Sequence, residues 1–169
     1  MALSMYQASV PVFIRMLGNL RNILEKAAAH AAAKKIDEAV FVNARLAPDM
    51  RPLSFQVQVA TDFARGTSAR LAGVELPSVE DKEATFAELI ARIDAAVAYV
   101  KTFSAAQIDG SESRPVTRKI RGNEVTLPGL TYLLNFALPN FYFHVTTTYA
   151  ILRHNGVEIG KLDYIGPLS

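Results

Sequence analysis

Hydrophobic residues recur along the chain in four long stretches at intervals of three and four, the spacing of one face of an α-helix. The stretches cover approximately residues 3–33, 50–71, 78–103 and 130–154. The last stretch contains Pro139, and a proline inside a helix removes one backbone hydrogen bond. The pattern therefore predicts three continuous helices and a fourth that is broken at Pro139, with its main part from there to residue 154.

Residues at the ends of these stretches indicate where the helices stop and start. Lys34 and Lys35 suit a helix C-terminus, where cations interact favourably with the helix dipole. Gly73 follows the second stretch and suits a left-handed C-terminal cap. Ser78 and Asp81 are spaced approximately as in a capping box, so we expect the third helix to begin at Ser78.

Two shorter segments separate the long ones. Residues 36–46 predict a short helix that ends before Pro48, because the residue before a proline avoids helical angles. Residues 116–120 and 124–127 are β-branched runs, and residues 121–123 suit a tight turn between them. We therefore expect a small β-hairpin, which is marginal alone and must be an insertion between helices.

These elements predict an all-α fold, a four-helix bundle with a small β-hairpin insertion before the last helix. The turn-rich tail from residue 157 onwards is expected to pack over the bundle. The pattern contains no repeat and no linker, so residues 1–169 are interpreted as a single helical bundle domain. A chain of this length buries a sufficient core without disulfides or metals.

Composition narrows the functional classes. The chain has no cysteine, which excludes thiol catalysis and Cys-ligated metal sites. Its net charge is only +2, and its one cationic cluster, Arg114, Arg118, Lys119 and Arg121, lies in the hairpin without stacking aromatics. We therefore expect no nucleic-acid partner. There is no apolar run long enough to span a membrane and no signal-peptide pattern, so a cytoplasmic protein without a membrane partner is expected.

Polar residues interrupt the apolar faces of the second and last long helices. At about 100° of rotation per residue, Asn140, His144 and His154 fall within a narrow sector of the last helix. Gln56 lies on the apolar stripe of the second helix. Buried amides and imidazoles need hydrogen-bonding partners, so we expect Gln56, Asn140 and His144 to converge inside the bundle.

Two interpretations of this polar cluster remain open from the residues alone. It is either a pocket for a metal or small ligand or a hydrogen-bonded network that only stabilises the fold. Imidazole suits transition metals, whereas amides are poor ligands for zinc. The other two histidines have structural explanations, since His154 lies at a helix end and His30 at the edge of the first helix's apolar stripe.

A second face of the last helix is amphipathic and aromatic. It comprises Tyr142, Thr146, Tyr149 and Arg153. Tyrosine and arginine are enriched at protein interfaces, so this face is the candidate surface for a homodimer.

Several runs of sequence resemble a known bacterial family. They are NARLAPDM at 43–50, QVQVATD at 56–62, RLAGVELP at 70–77, FALPNFYFHVTTTYAILRHNGVEIGKLDYIG at 136–166 and the N-terminal pattern at 6–28. Over nearly the whole chain they resemble domain of unknown function family 1993, a branch of the DinB/YfiT-like superfamily. The resemblance implies a four-helix bundle that is often dimeric. It also implies relatives with a three-histidine metal site, some of them thiol S-transferases that use mycothiol or bacillithiol.

The three-histidine pattern matches this chain at one position. In the superfamily one ligand lies on the second long helix, and two lie four residues apart on the last helix before a Leu-Leu-Arg-like run. Residues 151–153, Ile-Leu-Arg, align His144 with the second ligand of the last helix and Asn140 with the first. On the second helix Gln56 or Asp49 lies nearest, and neither is a histidine.

We therefore expect a degenerate DinB-like site that binds a small molecule, without a tightly bound metal or other cofactor. Its candidate ligand-binding residues are His144, Asn140, Gln56 and Asp49. The alternative is a metal-dependent enzyme, such as a thiol S-transferase, in which His144 binds the metal with help from the other three. Neither the residues nor the resemblance identifies a substrate.

Overall fold

Helices dominate the structure, a computed structural model that describes residues 3–120 and 122–167. The helices are α1 (Val10–Lys34), α2 (Glu38–Val42), α3 (Leu53–Ala72), α4 (Phe86–Val100), α5 (Ala105–Ile108), α6 (Gly129–Tyr132), α7 (Leu138–His154) and α8 (Lys161–Ile165). One antiparallel hairpin joins β1 (Pro115–Ile120) to β2 (Asn123–Pro128). The predicted mostly helical fold with a small hairpin is confirmed, although the described residues form more than four helices.

The core lies between the four longest helices. Helix α3 packs against both α4 and α7, and α1 packs against α4. Phe13 of α1 and Phe141 of α7 are fully buried and meet edge to face, with ring centroids 4.9 Å apart. Burying one such side chain contributes about 1.5–3 kcal/mol, so this aromatic contact is a large part of the attachment of α7 to α1. None of the helices in the described ranges is both long and apolar enough to cross a membrane.

The first half of the chain follows the pattern with shifted boundaries. Helix α1 begins at Val10 rather than near residue 3, because Pro11 in its first turn suits a helix start. It ends at Lys34, and Lys35 adopts the left-handed conformation of a C-terminal cap. The short helix is only Glu38–Val42. Helix α3 ends at Ala72. Gly73 follows with a φ of 72°, the left-handed conformation of the predicted C-terminal cap.

The predicted start of the third helix at Ser78 is wrong. Helix α4 begins at Phe86, after Thr85, whose hydroxyl accepts from the Glu88 amide at 3.2 Å. The Glu88 carboxylate accepts from the Thr85 amide at 3.0 Å and completes a capping box. Residues 74–84 form a non-helical loop instead. The Arg92 side chain donates a hydrogen bond to the Glu80 carbonyl and holds this loop in place.

The broken helix near the C-terminus is confirmed. A π-helical segment, Leu133–Ala137, joins α6 to α7, and Pro139 lies in the first turn of α7, where its missing N–H costs least. The tail packs over the bundle as expected, since Asn19 of α1 donates to the carbonyls of Tyr164 and Ile165 at 3.0 and 2.9 Å. The predicted hairpin turn includes Arg121, which lies outside the described residues.

Candidate functional site

The packing of α3 against α7 brings Gln56 and His144 together. Gln56 Oε1 lies 2.7 Å from His144 Nδ1, and Gln56 Nε2 donates to the Arg51 carbonyl at 2.9 Å. Because the amide nitrogen is used at Arg51, the amide oxygen faces the ring. An amide oxygen only accepts hydrogen bonds, so His144 Nδ1 carries the ring proton and donates it to Gln56.

The His144 imidazole is held in its neutral form. Burial lowers the pKa of His144 from 6.5 to about 4. With the proton on Nδ1, the Nε2 atom keeps an unprotonated lone pair at neutral pH. Within residues 3–120 and 122–167, Nε2 has no hydrogen-bonding partner. The site therefore presents one fixed hydrogen-bond acceptor.

Three phenylalanine rings lie close to the His144 ring. The Phe63 ring is nearly parallel to the His144 ring, with centroids 6.1 Å apart, whereas Phe55 and Phe143 approach edge-on at 6.4 and 5.2 Å. The Arg51 guanidinium lies 4.6 Å from the Phe55 ring centroid, a cation–π contact. Phe143 is 55% exposed, so the ring cluster extends to the molecular surface.

The other two predicted residues do not join the pair. Asn140 lies one turn before His144 on α7, but its amide nitrogen donates to the Phe136 carbonyl at 2.6 Å. Asp49 is exposed in the loop before α3, where Pro52 and not Asp49 occupies the capping position. Gln56 and His144 therefore meet directly, whereas Asn140 has no direct hydrogen bond to either of them within the described residues and its amide nitrogen is used in the preceding π-helical segment.

A three-histidine metal centre does not fit these residues. His144 is the only imidazole at the site, and the Gln56 oxygen is used to accept from its Nδ1. His30 packs edge-on against Phe41 and His154 is exposed at the end of α7. No group of three His, Cys, Asp or Glu side chains within the described residues is placed to hold a metal ion. Whether the protein binds metal tightly stays a prediction.

A second polar cluster, between α3 and α4, was not predicted. Its centre is Arg92, only 7% exposed, which contacts the carboxylates of Asp62 at 3.0 Å, Asp81 at 2.9 Å and Glu83 at 3.0 Å. Its Nε donates to the Thr61 hydroxyl at 2.9 Å. One signal in the sequence pointed to it, because position 92 falls on the apolar stripe of α4, where an arginine must be buried with partners.

The aromatic face of α7 is partly covered by the tail. Tyr149 packs edge-on against Tyr164 of α8 at 6.1 Å, and the Thr146 hydroxyl lies 2.9 Å from the Tyr164 hydroxyl. Tyr142 and Arg153 remain exposed. Of the cations predicted at the hairpin, Arg114 lies just before β1 and donates to the Leu71 carbonyl.

Comparison with known proteins gives two similarities over nearly the whole chain. A family model described as Domain of unknown function (DUF1993) matches residues 5–165. A crystal structure of a DinB family member protein from Shewanella denitrificans is 42% identical in sequence, with a TM-score of 0.91 and coverage of 96% of this chain and 92% of that chain. No curated protein matches the chain.

Proposed function

The chain belongs to the DUF1993 family within the DinB-like superfamily, and we propose that it binds a small molecule at His144. The observation that carries this proposal is the hydrogen bond between His144 and Gln56. It fixes the neutral tautomer that leaves Nε2 as an acceptor. The ligand that fits has a hydroxyl or N–H group for Nε2 and an apolar body that packs against Phe55 and Phe63.

The second ring nitrogen of His144 supports binding. Nε2 is not among the buried polar atoms that lack a partner in the described residues, so it is open to water or to a ligand. Here only Nδ1 of His144 is satisfied within the described residues. A donor on a ligand completes the second bond and replaces water there.

A matched pair of probes tests the proposal. Phenol and anisole have similar aromatic bodies, but only phenol donates a hydrogen bond. In an NMR titration we expect phenol to shift the His144 Nε2 resonance saturably and to bind several-fold more tightly than anisole, since one hydrogen bond contributes about 0.5–1.5 kcal/mol. His144→Phe removes this preference, whereas His154→Phe, at the exposed end of α7, retains it. Equal binding of the two probes, or no saturable shift, would contradict the proposal.

The alternative of a metal-dependent enzyme has one observation in its favour. A metal-binding histidine usually donates its second ring N–H to an oxygen, as His144 donates to Gln56. The groups around His144 do not complete a metal site, however, because the Gln56 oxygen accepts from Nδ1 and the amide oxygen of Asn140 is a poor ligand for transition metals. Small-molecule binding therefore remains the function that the geometry supports best.

We also propose that the protein is a homodimer through the exposed part of the α7 face. Tyr142, Phe143 and Leu46 are 37%, 55% and 41% exposed, and they line a shallow groove of about 320 Å³. Large exposed aromatic residues that cluster in this way are typical of protein interfaces. Phe143 also contacts the His144 ring, so this face adjoins the proposed binding site.

A further inference from the structure

A separate cleft lies between the loop of residues 74–84 and helix α4. Its volume is about 380 Å³, within the range of sites that hold small molecules. Its floor is apolar, formed mainly by Ala91, Ala95 and Ala96 of α4 with the ring of Tyr99 at one end. Two arginines, Arg65 and Arg92, also line it. A flat apolar body fits against the alanines without displacing a larger side chain.

The charge of Arg92 is not available to a ligand. Its guanidinium bonds to Asp62, Asp81 and Glu83, to the Thr61 hydroxyl, and to a backbone carbonyl of the loop. Four of the five N–H groups of the guanidinium donate hydrogen bonds in these contacts, and Asp81 adds an ion pair. Arg92 therefore holds the loop in place as one wall of the cleft.

The two carboxylates that line the cleft are also occupied. Glu83 accepts from Arg92 through one oxygen and from the Gln58 amide through the other, at 3.0 and 2.9 Å. Glu88 accepts from the backbone amides of Ala84 and Thr85 at the start of α4. The Glu83 charge is therefore paired with Arg92, whereas Glu88, which is exposed, keeps its negative charge.

Arg65 has capacity left for a ligand. Its side chain is 9% exposed, and it donates to the Pro77 carbonyl at 2.8 Å. Its ion pair with Asp62 is long, 3.5 Å, because Asp62 lies closer to Arg92, at 3.0 Å. No other side-chain hydrogen bond of Arg65 occurs within residues 3–120 and 122–167, and its guanidinium stacks over Tyr99 at 5.4 Å. A planar guanidinium with spare N–H donors suits a carboxylate.

We propose that this cleft binds a small flat apolar carboxylate, with its carboxylate on Arg65 and its body between Tyr99 and the alanines of α4. The site is distinct from the one at His144. Gln56 and Arg65 are nine positions apart in α3, which is about two and a half helical turns, so they face opposite sides of the helix. One side of α3 faces α7, and the other faces the cleft.

Two naphthalene probes of opposite charge test the proposal by isothermal titration calorimetry. We expect 2-naphthoate to bind at least about tenfold more tightly than 2-naphthylmethylammonium, because Arg65 offers free charge-assisted hydrogen bonds and Lys82, which also lines the cleft, is a second cation. Ala95→Phe fills the floor of the cleft and should weaken naphthoate binding at least about tenfold. Ala95 is exposed, so this change leaves the core intact.

Three variants complete the test. Ala87→Phe is the matched control, because Ala87 is exposed on the same helix but lines a different groove, and it should leave the affinity within about twofold. Arg65→Lys retains the charge but loses the paired donors, so we expect about three- to tenfold weaker binding. His144→Phe should leave naphthoate affinity unchanged, which separates this site from the proposed function. No saturable naphthoate binding, equal binding to Ala95→Phe, or tighter binding of the ammonium probe would overturn the proposal.

Discussion

At the scale of single residues, the environment of His144 decides what its ring does. The same residue type occurs at His30 and His154, but within the described residues only His144 has a hydrogen bond to another side chain. Burial lowers the pKa of His144 to about 4. A fixed neutral imidazole accepts a hydrogen bond across the physiological pH range.

This lowered pKa predicts how stability depends on pH. The unfolded imidazole binds a proton below its usual pKa of 6.5, whereas the folded one does so only near 4. Protons therefore favour the unfolded state, and the stability present above pH 6.5 falls as the pH decreases towards 4. We expect His144 to account for about 1–2 kcal/mol of this loss, less than the full shift implies because the ring is only half-buried. Urea denaturation at about pH 7 and about pH 4.5 measures it.

The comparison is between wild type and His144→Phe. The variant lacks the titrating group, so it should lose less stability between the two pH values than wild type does. His154→Phe controls for histidine removal, because His154 is exposed. An identical pH dependence in wild type and His144→Phe would show that the folded imidazole titrates normally.

The second prediction at this scale concerns metal. Calorimetric titration of tag-free protein with zinc and nickel should show no binding tighter than about micromolar, because one imidazole does not form a coordination sphere. His144→Ala should change the free energy of unfolding measurably and the metal content little. Tighter binding that disappears in His144→Ala would instead support the metal-dependent enzyme.

At the scale of elements, the start of α4 shows how similar local signals compete. Ser78 with Asp81 and Thr85 with Glu88 both have capping-box spacing, but only the second pair caps a helix. Side-chain to backbone contacts made by Arg65 and Arg92 hold the intervening loop away from helical geometry. The position of the helix start depended on contacts of Arg65 and Arg92 with the loop, which the spacing of the two motifs does not contain.

The hydroxyls of the two capping-box motifs differ in their expected effect on stability. Thr85→Ala removes the hydroxyl that accepts from the Glu88 amide and should lower the free energy of unfolding by about 1 kcal/mol. Ser78→Ala alters an exposed loop residue and should change it by less than about 0.5 kcal/mol. Thermal or urea denaturation of the two variants under one condition measures the difference. Equal losses would mean that the helix extends to Ser78 in solution.

At the scale of the whole molecule, the exposed α7 face predicts self-association. Light scattering at micromolar concentration should give twice the chain mass of 18.5 kDa. Tyr142→Glu should produce the single-chain mass, because an apolar interface does not accommodate an unpaired charge. Leu162→Glu is the matched control, since Leu162 is 81% exposed on α8 and lines a groove with α1 instead of α7. A single-chain mass for wild type would rule out the dimer.

The sequence by itself determined the helical segments, the hairpin, the break near Pro139 and the stop at Gly73. Each depends on residues close together in the chain, through apolar spacing, proline chemistry or glycine's tolerance of positive φ. It also placed Gln56 and His144 on facing stripes.

Tertiary structure alone decided how the polar groups are paired. Asn140 donates to the Phe136 carbonyl four positions away, whereas Gln56 meets the His144 ring 88 positions away. The cleft beside α4 exists because Arg92 of α4 joins carboxylates of α3 and of the loop of residues 74–84. Such choices depend on distances between residues far apart in the chain, which local patterns do not contain.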